Sequence, residues 1–64
     1  MSPEEIARLR ADIEDVLAEP DLWLEAPNER FFGRRPIDML EGESDDEHQL
    51  VRREIDFVLH GTFL

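Results

Sequence analysis

A helix-start signature occurs twice in this chain, and the pair limits most of what it can fold into. In the first, Ser2 precedes Pro3, with Glu5 three residues on; in the second, Ser44 precedes Asp45, Asp46 and Glu47. A serine hydroxyl accepts from the amide three residues later, while the carboxylate there reaches back to the serine amide. Each serine therefore starts a helix with its exposed donors satisfied. Pro3 suits the first helical position, and the carboxylates of both first turns sit at the positive end of a helix dipole. Ile6, Leu9, Ile13, Val16 and Leu17 then recur at helical spacing in one narrow stripe, with Arg8, Asp12 and Asp15 opposite. Pro20 ends this helix or turns it into a short following one.

Gly and Pro punctuate residues 21–42 too closely for long helices. Asp21 to Leu24 form a short apolar turn, and Ala26-Pro27-Asn28 a breaker and cap. Glu29 to Phe32 allow about one helical turn, which Gly33 can stop in the left-handed region. Pro36 opens another turn through Leu40. Trp23, Phe31, Phe32 and Met39 lie here, so the segment reads as a folded elbow rather than a tether.

The last helix carries Leu50, Val51, Ile55, Phe57, Val58 and Leu59 over an arc of about 200°, twice what one helix partner needs. Glu47 and Glu54 split that arc into a Leu50/Phe57 edge and a Val51/Ile55/Val58/Leu59 edge. The surplus is covered either by the elbow or by another protein. Gly61 is a C-cap candidate. With β-alternation and internal repeats both missing, the expected fold is all-α. Residues 1–64 form one small helical domain: a long N-terminal helix, a short-turn elbow and a long C-terminal helix packed antiparallel to the first.

Composition narrows the function. Of 64 residues, 17 are acidic and 7 basic, a formal charge of −10, and Lys, Cys and Tyr are absent. A domain this size buries only about 60% of its unfolded surface and has no room for a lidded substrate cavity. Missing cysteines exclude disulfides and thiol chemistry. No apolar run approaches a membrane span, and a cytoplasmic location is expected. Phosphate binding needs clustered cations, which this chain lacks outside Arg34-Arg35 and Arg52-Arg53.

The chemical inventory is equally short. His48 and His60 point about 120° apart on one helix and cannot share a metal. Asp45 and His48 have ligand spacing but no third partner, and read as a solvated helix start. Asp45-Asp46-Glu47 lacks the spacing and central Gly of a calcium loop. Ser2 and Ser44 are used as caps, Thr62 has no orienting shell near His60, and no glycine-rich phosphate loop exists. No catalytic, cofactor-binding or metal-binding set is expected, and the chain is not read as an enzyme. Arg34 and Arg35, on a tight turn, either face outward to a carboxylate or phosphate, or pair with Glu41, Glu43 or Glu54. Arg52 with Asp56, and Asp56 with His60, are i, i+4 pairs on the outer face of the last helix. His60-Gly61-Thr62-Phe63-Leu64 is either folded back on the last turn or an apolar, anionic plug for a partner.

Trp23-Leu24, Pro27-Asn28, Phe32-Gly33, Pro36-Ile37-Asp38-Met39-Leu40, Ile55 and His60-Gly61-Thr62-Phe63, in that order, resemble the C-terminal toxin-binding domain of Xre/MbcA/ParS-type antitoxins. The resemblance covers roughly residues 21–64. It implies a small helical module that binds a RES-domain toxin, an NAD-consuming enzyme, and covers its active site with its C-terminal end. Carried over by position, the blocking segment is His60, Gly61, Thr62, Phe63 and Leu64, with Phe57 and Arg53 beside it. Trp23, Leu24, Pro27, Asn28, Gly33 and Pro36 are then scaffold. An acidic inhibitor also suits an enzyme whose dinucleotide pocket is electropositive. Only about twenty residues precede the elbow, where family members commonly carry a helix-turn-helix, so DNA binding is not expected. Glu41 to His48 is also more acidic than the family's usual stretch. Rival readings are an acidic decoy that mimics nucleic acid, and a homodimeric module using the wide face of the last helix.

Overall fold

The computed structural model describes residues 1–60. Helix α1 spans Pro3–Val16, α2 Pro20–Glu25, α3 Pro36–Glu41 and α4 Asp45–Leu59, with a 3₁₀ turn at Glu29–Phe31. No strand occurs among the described residues, so the all-α expectation holds. None of these helices is long and apolar enough to cross a membrane.

The caps account for where the helices begin. At Ser2 both arms of the capping box are present: Glu5 N donates to Ser2 Oγ (3.2 Å) and Ser2 N to Glu5 Oε1 (2.8 Å). That backbone hydrogen bond is the main cause holding the Glu5 carboxyl below its ordinary pKa. At Ser44 the hydroxyl accepts from Glu47 N (3.4 Å), but the Glu47 carboxylate turns to the Arg34 guanidinium instead of reaching back. A proline opens each of α1, α2 and α3, where its missing N–H leaves no bond unmade. Asn28 Oδ1 accepts from Arg30 N (2.8 Å) to start the 3₁₀ turn. Phe32 (φ 59°) and Gly33 (φ 84°) then take the chain through the left-handed region. The Asn28 carbonyl accepts from both Phe31 N and Gly33 N (2.9 Å each), and Asn28 N donates back to Arg34 O (3.0 Å), which closes the turn.

Leu9 and Ile13 of α1, Leu24 of α2, Phe31, Met39 and Leu40 of α3, and Val51 and Ile55 of α4 make the core. Half-buried Trp23 lies edge-on to the Phe31 ring, centroids 6.2 Å apart, a favoured aromatic arrangement. The elbow is thus packed on the long helices, as its share of bulky apolar residues implies.

Four expectations need correction. The long helices are not antiparallel. The Met1 amino group meets Asp45 at the start of α4, and Asp12, well along α1, accepts from Arg52 (2.8 Å), midway along α4. The two helices therefore run in the same sense. Two short helices and a 3₁₀ turn reverse the elbow more than once, which returns the chain to the end where α1 starts.

His48 is not solvated. It is 5% exposed, its Nε2 lies 2.8 Å from the Gly42 carbonyl oxygen, and its Nδ1 faces the Met1 amino group at 3.5 Å. That carbonyl ends α3, so the imidazole fastens α3 to α4.

Asp12 and Arg52 do not lie on outer faces. Arg52 donates to Asp56 within α4 (Nε 3.0 Å, Nη2 2.6 Å) and to Asp12 across the helix pair. Asp56 first, then Asp12, hold the Arg52 guanidinium charged above its ordinary pKa.

Finally, Arg34 pairs with Glu47 and Arg35 with Asp38, rather than with Glu41, Glu43 or Glu54. Asp38 belongs to α3, which follows the turn, and Glu47 to the first turn of α4.

Candidate functional site

The inner arc of α4 is taken up by His48, Val51 and Ile55. Val58 lies seven residues after Val51, and Leu59 four after Ile55, so both prolong this arc. Neither is covered: Val58 is 41% and Leu59 48% exposed. The last turn of α4 therefore runs past the body of the core. On the other edge Phe57 is 48% exposed and Leu50 37%. The elbow covers only the middle of the broad apolar surface, and an apolar band remains around the C-terminal end of α4.

A cation borders this band. Arg30, held on the 3₁₀ turn by the Asn28 cap, donates from Nε to Glu54 Oε1 (2.7 Å). Its guanidinium carbon sits 5.7 Å from the centroid of the Phe57 ring, within cation–π range. Arg30, Phe31, Leu50, Arg53 and Glu54 line a shallow cleft between the 3₁₀ turn and α4. Phe31 forms its buried floor, while Leu50 and Arg53 are exposed along the helix edge. An apolar floor flanked by two guanidinium groups can hold an apolar side chain next to a carboxylate.

Of the residues expected to meet a partner, those that can be placed fall on this band. Phe57, Arg53 and His60 are all exposed on α4 or at its end, where His60 N donates to Asp56 O (2.9 Å). Gly61, Thr62, Phe63 and Leu64 lie outside the described residues, as does the C-cap expected at Gly61. The scaffold residues gather in the elbow. Leu24 and Pro36 are buried, Trp23 is half-buried, Asn28 caps, Gly33 carries the positive φ and Pro27 is exposed.

Among the described residues no three His, Asp or Glu side chains could hold a metal ion together, and every buried side-chain polar atom has a partner. The resolved carboxyl shifts are downward and come from capping or ion pairs: Asp38 by Arg35 and Asp45 by the Met1 amino group.

Sequence reading missed the part played by Arg30. Glu54 and Phe57 are distant from it in the chain, and no local pattern signals a pairing that only the elbow's packing on α4 creates. No protein-family model, curated protein or solved structure matches this chain.

Proposed function

We propose that this chain is a protein-binding inhibitor of the antitoxin kind, which covers a RES-type, NAD-consuming toxin with the end of α4 and the residues that follow it. The reading rests chiefly on one observation: Phe57, Val58 and Leu59 are about half exposed on the helical turn that leads into residues 60–64. An apolar cluster of this kind, next to cations and in a chain otherwise acidic, is the usual make-up of a contact centre with a polar rim. The resemblance in the elbow supplies the partner class, and a cytoplasmic setting goes with it.

Co-expression with a RES toxin tests it. Removing residues 61–64 is expected to abolish growth protection while circular dichroism shows unchanged helicity. Protection by the shortened chain would overturn the reading. The decoy alternative predicts binding that collapses by orders of magnitude between low and moderate salt, whereas an apolar plug weakens modestly.

A further inference from the structure

Cations are scarce on this chain, 7 against 17 acids. Arg34, Arg35 and Arg52 each sit in an ion pair with their own chain. Arg53 makes no ion pair among the described residues, although it is exposed on α4 amid an excess of carboxylates. It lines the cleft between the 3₁₀ turn and α4 together with Arg30. Arg30 is only partly engaged. Its Nε donates to Glu54 Oε1 (2.7 Å) and its guanidinium carbon lies 5.7 Å from the Phe57 ring centroid. Neither of its Nη groups makes a hydrogen bond among the described residues, and the side chain is 62% exposed. The guanidinium is thus oriented by Glu54 and Phe57 while its outer N–H groups point to no acceptor of this chain. Those groups have the fork geometry that fits a carboxylate.

Between the two cations lies apolar surface, the buried Phe31 and the 37% exposed Leu50. The cleft has a volume of about 330 Å³, which suits one or two side chains rather than a whole helix. Glu54, the one carboxylate in its lining, is already held by Arg30 and its side chain is 17% exposed. The surroundings sharpen the requirement. An acidic chain is attracted to a basic partner, but such a partner would set like charges against Arg30 and Arg53 as it closed. Like-charge juxtaposition and a cation stripped of water without an acid are both costly. The cleft therefore selects a local acid within the surface it meets.

We propose that this cleft receives, from the bound partner protein, an apolar side chain that adjoins an Asp or Glu. The apolar group packs on Phe31 and Leu50, and the carboxylate accepts from Arg53 and from the Nη groups of Arg30. The inference rests on the reading of the end of α4 as a contact surface, and it adds the chemistry of the segment that fits beside it. A single acid placed between two cations on an otherwise acidic surface also fixes the register of docking, because any sliding leaves both guanidinium groups unpaired.

Amide NMR titration of the full chain with the capped peptide acetyl-Ala-Leu-Asp-Ala-amide tests it. For so small a ligand a dissociation constant on the order of 1 mM is expected. Shifts should gather at Arg30, Phe31, Leu50, Arg53 and Phe57. The matched peptide with Asn in place of Asp should bind about tenfold more weakly or less, because it loses the charge-assisted hydrogen bonds. Arg53→Gln should remove the same preference for acid over amide with the fold intact by circular dichroism, since Arg53 is exposed and unpaired among the described residues. Equal binding of the acid and amide peptides overturns the proposal. So do shifts centred elsewhere, or tighter peptide binding by a chain lacking residues 61–64, which would make the chain's own terminus the occupant. If these titrations fail while removal of residues 61–64 still abolishes growth protection, this inference falls and the toxin reading stands. The opposite pair of results strikes the toxin reading alone.

Discussion

Replacing Phe32 with glycine should stabilise the protein, although it removes a whole aromatic side chain. The ring is 94% exposed, so almost no burial is lost. The backbone at φ 59° carries the penalty of a Cβ in the left-handed region, about 1–2 kcal/mol. Glycine removes that penalty but loses more chain entropy on folding, about 0.5–1 kcal/mol. The net gain is centred on about 0.75 kcal/mol, between bounds of about 0 and 1.5 kcal/mol. With an unfolding entropy of about 2.1 cal/mol/K per residue, the melting temperature should rise by about 6 °C. Thermal melts by circular dichroism measure this directly. Phe32→Ala is the control: it deletes the ring but keeps the Cβ, so its melting temperature should stay close to the parent's. Equal stabilisation by alanine and glycine would refute the strain argument, since the effect would then belong to the exposed ring. A fall in melting temperature with glycine would refute it as well.

Ile55→Ala should cost about 2–5 kcal/mol, most of the roughly 3–10 kcal/mol expected of a domain this size; urea unfolding should show the transition shifted to low denaturant or lost. Gly42 has φ −76°, and a methyl group there would meet only ordinary contacts, the nearest the Asp38 carbonyl oxygen at 3.5 Å. Gly42→Ala should therefore raise stability by about 0.4–1 kcal/mol, whereas Gly33→Ala, at φ 84°, should lower it by about 1–2 kcal/mol; paired denaturation curves give both signs. Asp38, whose hydrogen bonds to Arg35 hold its pKa below 3.8, adds stability that is present above about pH 4 and lost as the pH falls through its folded value. The stability gap between the parent and Asp38→Asn should accordingly be steady near neutrality and close below about pH 4; a gap that widens with acid would contradict the pairing.

Local chemistry is what the amino-acid order carries. The two serine caps, the prolines at first helical positions, the Asn28 cap and the turn at Gly33 can each be read because their hydrogen bonds close within about six residues. The stripe Leu9/Ile13 and the arc Val51/Ile55 could likewise be read as core, since helical periodicity alone puts them on one face. Of the candidate site, the excess apolar breadth of α4 was legible by the same means. Which part of that excess stays uncovered was not, because it depends on how far α4 projects beyond its neighbours.

Everything decided by separation in sequence came from the tertiary structure. Equal capping signals at both ends of the chain do not say in which sense two helices pack, so the parallel arrangement of α1 and α4 waited on the path of the elbow. His48 follows three acidic residues and looks solvated by its neighbours; it is buried because the carbonyl that ends α3 comes within reach of its ring. The same holds for Asp12 with Arg52, and for Arg30 with Glu54 and Phe57. Periodicity and capping are short-range and determined the helices from sequence alone. Ion pairs between helices and the exposure of a side chain depend on distances through space, and only the folded chain brings those residues together.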